Sequence, residues 1–287
     1  MRYIDKTKKT SQGHAITESF LRTMYNRYRN SAEGFCPERV DLYKQFGKEI
    51  DDEHGGRTFR LRMADEVLIP EQEGRCCYCL RRLDKCLKPN MEHVVPNHPK
   101  DDEEWREYMG RTPIVRDNCC RSDEWLQNPE TCVPNPHSIA YENLVMSCDG
   151  DLLNSGNRPV SCNLRRRHND MLPLVLMGNI SQILLYRTDG TAFWKDENDQ
   201  LGEVSISHLG LNTFMLRLVR RVWFVVNDNN LILDGTTNRE EFINTIFGLM
   251  SQDGLSEEEK HAVFNFKLEN MWQLLLQFDA FRTISHV

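Results

Sequence analysis

The chain has 287 residues, with 36 Lys and Arg against 43 Asp and Glu, a net charge of −7 at pH 7. That length allows one large or two small domains with a real core, and a 28% charged, 39% hydrophobic composition is that of a soluble globular protein. No apolar run approaches membrane-spanning length and the first residues are polar, so no membrane contact is expected; ten cysteines without a secretory signal point to the reducing cytoplasm, where thiols bind metal or stay free.

The acid excess argues against a protein that grips nucleic acid unaided, which would show a basic face. Its cations are local: Arg81-Arg82, then Arg165-Arg166-Arg167-His168, then Arg217, Arg220 and Arg221.

Three regions are expected in chain order. Residues 1–72 read as a helical scaffold. Ile16, Phe20 and Met24 fall on one stripe of a helix over 14–30. Cys36-Pro37 opens a second, with Val40, Tyr43 and Ile50 inward. A third runs from Thr58 to Leu68 and is closed by Pro70.

Residues 73–175 are interrupted by six prolines from Pro96 to Pro136 and read as loop-rich, since proline forbids long regular elements. Short strands are expected at Met91–Val95 and Leu144–Met146, a surface helix at Asp101–Met109 and a short helix at Cys162–Asn169. Residues 176–287 begin with a hairpin, because Thr188-Asp189-Gly190-Thr191 lies between the apolar runs 183–186 and 192–194. Helices follow: Phe214–Val226 capped by Asn212 or Thr213, then two starting at the capping boxes Thr237-x-x-Glu240 and Ser256-x-x-Glu259. The last carries the broad apolar face of Val263, Phe264, Leu268, Met271, Trp272, Leu275 and Phe278.

The chemistry concentrates in four fragments: Arg75-Cys76-Cys77-Tyr78-Cys79, Met91-Glu92-His93-Val94-Val95-Pro96, Tyr141-Glu142-Asn143-Leu144 through Cys148, and Ser161-Cys162-Asn163-Leu164-Arg165-Arg166. Cys76 and Cys79 can take two corners of a zinc tetrahedron, and Cys148 with Cys162 can close it; the bland alternative is four buried thiols. Between these pairs sit an acid–histidine pair and an asparagine, with a second asparagine just after. They offer a base that titrates near neutrality and hard oxygen ligands for a divalent ion. An ordinary surface pair is the bland reading of Glu92-His93, and a solvated helix face that of the three arginines. Cys119, Cys120 and Cys132 could form a second metal site with His137.

The order Cys-x-x-Cys, Glu-His-x-x-Pro, Asn-Leu-x-x-x-Cys, Cys-Asn-x-x-Arg resembles the zinc-bearing HNH endonucleases, which are built on a ββα-metal motif. The opening Met1-Arg2-Tyr3-Ile4 and the later Leu209-Gly210-Leu211-Asn212 are similar to the PtuB-like HNH proteins of Septu and retron anti-phage defence. The resemblance implies an α+β fold, mainly helical, with a central zinc-bearing ββα-metal motif and a small β-hairpin. It implies structural Zn²⁺ on Cys76, Cys79, Cys148 and Cys162, and catalytic Mg²⁺ or Mn²⁺ on Glu92 and Asn163, with His168 a rival ligand. His93 would be the general base and Asn143 would pin its loop. Arg165, Arg166 and Arg167 would meet substrate phosphates, Arg166 standing where relatives commonly show lysine. The implied substrate is nucleic acid, DNA before RNA, cut to leave a 5′-phosphate, and the implied partner is a PtuA-like ATPase subunit. This sequence departs from the pattern in the spacing of its second cysteine pair, 148 and 162, which relatives keep two residues apart. A zinc-stabilised binding module that does not cut, and a nuclease directed at RNA such as tRNA, are the alternatives.

Overall fold

The computed structural model describes residues 1–29, 40–86, 88–127, 135–152, 160–167, 169–231, 238–252 and 268–281. Among them the chain is α+β, with many helices and four small two-stranded sheets. Cys36-Pro37, Cys132, His168, Thr237 and the capping box at Ser256 lie outside the described residues.

The first helix, α1, spans Thr10–Arg29 and buries Ile16, Phe20 and Met24, the expected stripe. Helix α2, Leu42–Phe46, is capped by the Asp41 side chain on the Lys44 amide. Ile50 is not inward: it is 51% exposed on a short strand β1, Ile50–Asp51, which pairs with β2, Arg57–Thr58. A β-turn region therefore interrupts the scaffold expected to be all helical.

The following helix also departs from expectation at Pro70. Helix α3, Phe59–Arg62, continues through a π-helical stretch, Met63–Leu68, into α4, Ile69–Glu71, with Pro70 inside. The wider π turn shifts the hydrogen-bond ladder, so the ring and the missing N–H of proline are accommodated where a regular α-helix would break.

Strand β3, Asn90–His93, pairs antiparallel with β6, Leu144–Ser147, setting Glu92 opposite Val145 and His93 opposite Leu144. The outer edge of β6 is covered by side chains and by one turn amide. Lys6 Nζ donates to the Leu144 carbonyl at 2.7 Å. The Gln72 amide accepts from the Met146 N–H at 2.7 Å and donates to its carbonyl at 2.8 Å, and the Cys77 N–H reaches the same carbonyl at 3.0 Å. Gln72 thus does for this edge what a third strand would do, leaving no open ladder there.

Between β3 and β6 lie α5, Asp102–Arg111, α6, Pro113–Asn118, strand β4, Cys119–Cys120, α7, Ser122–Gln127, and strand β5, Asn135–Pro136. The parallel pairing of β4 with β5 ties the middle of this insertion to its later part and has no counterpart in the sequence reading. Helix α8, Cys162–Arg166, follows β6, so strand, strand and helix come in the expected order.

Next come α9, Ile180–Ile183, and the predicted hairpin, β7, Leu184–Tyr186, with β8, Ala192–Trp194. Helix α10, Gln200–His208, was not foreseen. Helix α11, Phe214–Asp228, starts after Thr213, but Asn212 turns away to bond both backbone groups of Ala192. Helices α12, Arg239–Gln252, and α13, Leu268–Leu275, complete the described chain. One apolar cluster runs from Ile4 through Phe20, Tyr78, Leu144 and Trp194 to Met271 and Phe281.

Candidate metal centre and active site

The turn after α4 supplies Cys76 and Cys79, the residue after β6 is Cys148, and α8 opens with Cys162. The turn is closed by the Cys76 N–H on Arg81 O at 2.8 Å and by the Leu80 N–H on Cys76 O at 3.1 Å, with Leu80 in the left-handed region at φ +66°. All four Sγ atoms lie within 4.8 Å of one another. Cys76 Sγ is 3.8 Å from Cys162 Sγ, and Cys79 Sγ is 3.7 Å from Cys148 Sγ. Sulfurs about 2.3 Å from a central zinc in a tetrahedron stand about 3.8 Å apart, so this set of four cysteines can hold a metal ion such as zinc.

The charges say the same. Burial raises the Cys76 thiol, but hydrogen bonds from the surrounding thiols outweigh it and hold its pKa well below the usual range. Hydrogen bonds to Cys148, Cys76 and Cys79, with burial, push Cys162 well above it. Only a central cation would let all four ionise together.

The long gap between Cys148 and Cys162 is closed at its base. The Ser161 N–H donates to the Gly150 carbonyl at 3.1 Å, and buried Arg81 binds Asp149 Oδ1 at 2.7 Å and the Asp151 carbonyl at 2.9 Å. Gly150 sits at φ +76°, and a Cβ there would meet Ser161 O at 2.2 Å. Gly150→Ala should therefore loosen the centre, since both the clash and the left-handed backbone oppose a side chain. Its metal affinity in a chelator competition should fall on the order of tenfold or more, about 1.4 kcal/mol.

Among the described residues this is the one group of three or more His, Cys, Asp or Glu able to hold a metal. Cys119, Cys120 and His137 form no second centre there. The imidazole of His137 instead takes the Ser122 N–H on Nδ1 at 3.2 Å and packs edge-on against Trp105.

Beside the metal centre, β3 ends at a cleft of about 350 Å³ lined by Glu92, His93, His98, Asn163, Arg166 and Arg167, among others. His93 Nε2 lies 2.8 Å from the Ser138 carbonyl, and its ring meets Tyr43 edge-on at 4.4 Å. A carbonyl only accepts, so Nε2 carries the proton and the neutral ring keeps its lone pair on Nδ1. Asn143 is fully buried. Its Oδ1 accepts from the Val95 N–H at 2.7 Å, and its Nδ2 donates to Val95 O at 3.0 Å and His137 O at 2.9 Å. These side-chain-to-backbone bonds hold the segment that follows His93.

Glu92 is buried. Its Oε1 accepts from Ser147 Oγ at 2.7 Å, while Oε2 has only longer contacts, Arg166 Nη1 at 3.3 Å and Tyr78 Oη at 3.4 Å. Burial pushes its pKa up to about 7, against the opposing pull of Arg166 and the two hydroxyls.

The three arginines separate. Arg166 turns inward, donating to the carbonyls of His93 at 2.8 Å and Val94 at 3.2 Å as well as to Glu92. Arg165 is exposed, off the cleft, and donates to Ser207 O at 3.1 Å; Arg167 is exposed on the cleft wall. The other basic groups are also partly engaged inside: Arg81 as above, and Arg220 on the carbonyls of Gly190 and Leu211.

No family model, no curated protein and no solved structure matches this chain. Tyr78, Ser147, Ser138 and Gln72, which hold the site's groups in place, were missed by sequence reasoning. Tyr78 and Ser147 stood inside recognised fragments, each next to a cysteine of the candidate metal set.

Acid should unfold the protein through two histidines. Burial is the main cause that lowers both His93 and His137 from 6.5 to about 4. A depressed histidine contributes stability that is fully present above its unfolded pKa near 6.5 and lost as pH falls toward 4. Glu92 acts oppositely, because its raised pKa makes stability fall as pH rises from 4.5 to about 7. Two groups outweigh one, so the melting temperature should drop on acidification from pH 6.5 to 4, with a shallower slope in His137→Gln. Metal content must be followed in parallel, because thiolate protonation also releases metal.

Proposed function

We propose that this chain is a zinc-stabilised endonuclease of the HNH kind, which hydrolyses phosphodiester bonds in nucleic acid, DNA before RNA. The observation that carries the reading is His93. Its imidazole lines a polar cleft, is neutral through the physiological range, and is fixed through Nε2 so that Nδ1 is free to act as a base. In the reaction, Nδ1 takes a proton from water, the water oxygen bonds phosphorus, and the P–O3′ bond breaks with its electron pair going to the 3′-oxygen, which takes a proton from solvent, leaving a 5′-phosphate and a 3′-hydroxyl.

Zinc on Cys76, Cys79, Cys148 and Cys162 would tie the turn and the end of β6 to α8, whose Asn163 and Arg166 line the cleft. A divalent ion, Mg²⁺ or Mn²⁺, would be held by Glu92 and Asn163. The donor chemistry fits, since both residues line the cleft and Glu92 Oε2 makes only long contacts. Such an ion supplies positive charge to the phosphate as it gains negative charge. Arg166 balances Glu92 from the protein side, and Arg167 is the arginine placed to meet a phosphate from the cleft wall.

With a net charge of −7 and several arginines engaged internally, the chain alone should bind nucleic acid weakly and with a shallow salt dependence. That supports a role as the cutting subunit beside a partner, an ATPase of the PtuA kind, that brings substrate. One observation favours the non-cutting reading: the ion pair of Glu92 with Arg166, which a catalytic cation would have to disturb.

The test is cleavage of DNA and RNA substrates with Mg²⁺ or Mn²⁺ by the wild-type chain and by His93→Ala. Metal-dependent cutting lost in the variant supports the nuclease. Binding without cutting by the wild type, alone and with the neighbouring gene product, would leave only the binding module.

A further inference from the structure

The insertion between β3 and β6 reaches the base. Ser138, whose carbonyl accepts from His93 Nε2, is held through its N–H and hydroxyl, and the holding groups come from the insertion. The Ser138 N–H donates to Ser122 Oγ at 3.2 Å, and the Ser122 hydroxyl donates to Ser138 Oγ at 2.7 Å. The Ser122 N–H donates to His137 Nδ1 at 3.2 Å, and the His137 N–H donates to Cys120 O at 2.9 Å. Trp105, on α5, closes over the His137 ring at 4.7 Å between centroids. His137 and Ser138 are each 2% exposed, and Ser122 is half-buried.

We propose that Ser122 and His137 are positioning residues for His93. Through the Ser122 hydroxyl on the Ser138 N–H and Oγ they fix residue 138 so that its carbonyl faces Nε2, which fixes the imidazole as the Nε2–H tautomer. Asn143 Nδ2 on the His137 carbonyl completes the clamp from the β6 side. Neither residue touches the cleft. Their action passes through a backbone carbonyl that accepts one hydrogen bond and thereby decides which ring nitrogen keeps the lone pair. On this account the insertion is part of the active site's scaffold: folding β4, α7 and β5 together sets the base. The catalytic consequence rests on the nuclease reading; the tautomer does not.

The experiment uses the full chain labelled with ¹⁵N-histidine, and long-range ¹H–¹⁵N spectra of the imidazoles, with His93 assigned by loss of its signals in His93→Ala. Wild type should show His93 wholly as Nε2–H at pH 7. Ser122→Ala removes the hydroxyl that holds the Ser138 N–H and Oγ, and His93 should then show a mixture of tautomers. Ser122→Thr, which keeps the hydroxyl, should restore the single form. Turnover by Ser122→Ala should fall roughly 10- to 100-fold, the usual cost of losing an outer partner of a functional histidine, with KM little changed and metal content equal to wild type. His137→Gln is the second variant, giving the same mixture if Ser122→Ala does not fold.

A single Nε2–H form in both variants would overturn the proposal, whatever the cleavage rates. The tautomer change in a chain that cuts no nucleic acid would support the positioning of His93 and overturn the nuclease reading instead.

Discussion

Cys162→Ser should strip the chain of its metal and unfold the region around it. The native protein is expected to carry about one zinc per chain by elemental analysis, and the variant less than roughly a tenth of that. The reason is that the four sulfurs meet at one point from three separate segments: a turn at 76–79, the end of β6, and the start of α8. Cys162 itself is held at φ +55°, a conformation that costs a non-glycine residue on the order of 1 kcal/mol. Its backbone N–H bonds Leu209 O at 2.8 Å, so loss of the thiol also loosens the contact of α8 with the end of α10. In small metal-built domains the binding free energy, about 10–16 kcal/mol, is folding free energy. Even a fraction of that should lower the melting temperature by more than roughly 10 °C, and Cys76→Ser should match it. A variant that melts like wild type, with four reactive thiols in the native wild-type chain, would sink the zinc assignment.

His93→Ala should reduce cleavage by about 10²- to 10⁴-fold, the range for loss of a general base, while zinc content stays at the wild-type value. The stability cost should be modest, about 1–2 kcal/mol, for the lost Ser138 hydrogen bond and the packing on Tyr43. Asn143→Ala should divide differently. It leaves three buried backbone groups without partners, those of Val95 and His137, so its stability loss should exceed that of His93→Ala. Its effect on turnover per folded molecule should be the smaller of the two, because the base is still present. Full cleavage by His93→Ala would remove this residue from the mechanism.

How much of this was legible in the sequence follows from the range of the interactions concerned. A period-3.6 stripe announced α1, a cap candidate at Asn212 or Thr213 announced α11, and Asp-Gly between apolar runs announced the hairpin at Gly190, because these signals are local. The cysteines of the metal centre were readable for a related reason: a Cys-x-x-Cys turn is a local object, and a tetrahedral ion admits few other ligand sets. What spacing could not say was how Cys148 meets Cys162. That depends on Gly150, Ser161 and Arg81, a closure visible only when the base of the loop is seen.

The roles of charged residues belong to the tertiary structure altogether. Arg165, Arg166 and Arg167 are consecutive in the chain, yet one turns inward to Glu92 and the backbone of β3 while its neighbours face solvent, because a helix sends successive residues to different sides. Gln72 as the cap of a strand edge, Ser138 as the partner of His93 and the pairing of β4 with β5 carry no sequence pattern, since each joins groups far apart in the chain. The sequence by itself determined which residues are available for chemistry. Only the tertiary structure decided which of them face the cleft and which hold it in shape, because burial and hydrogen-bond partners are properties of the packed chain.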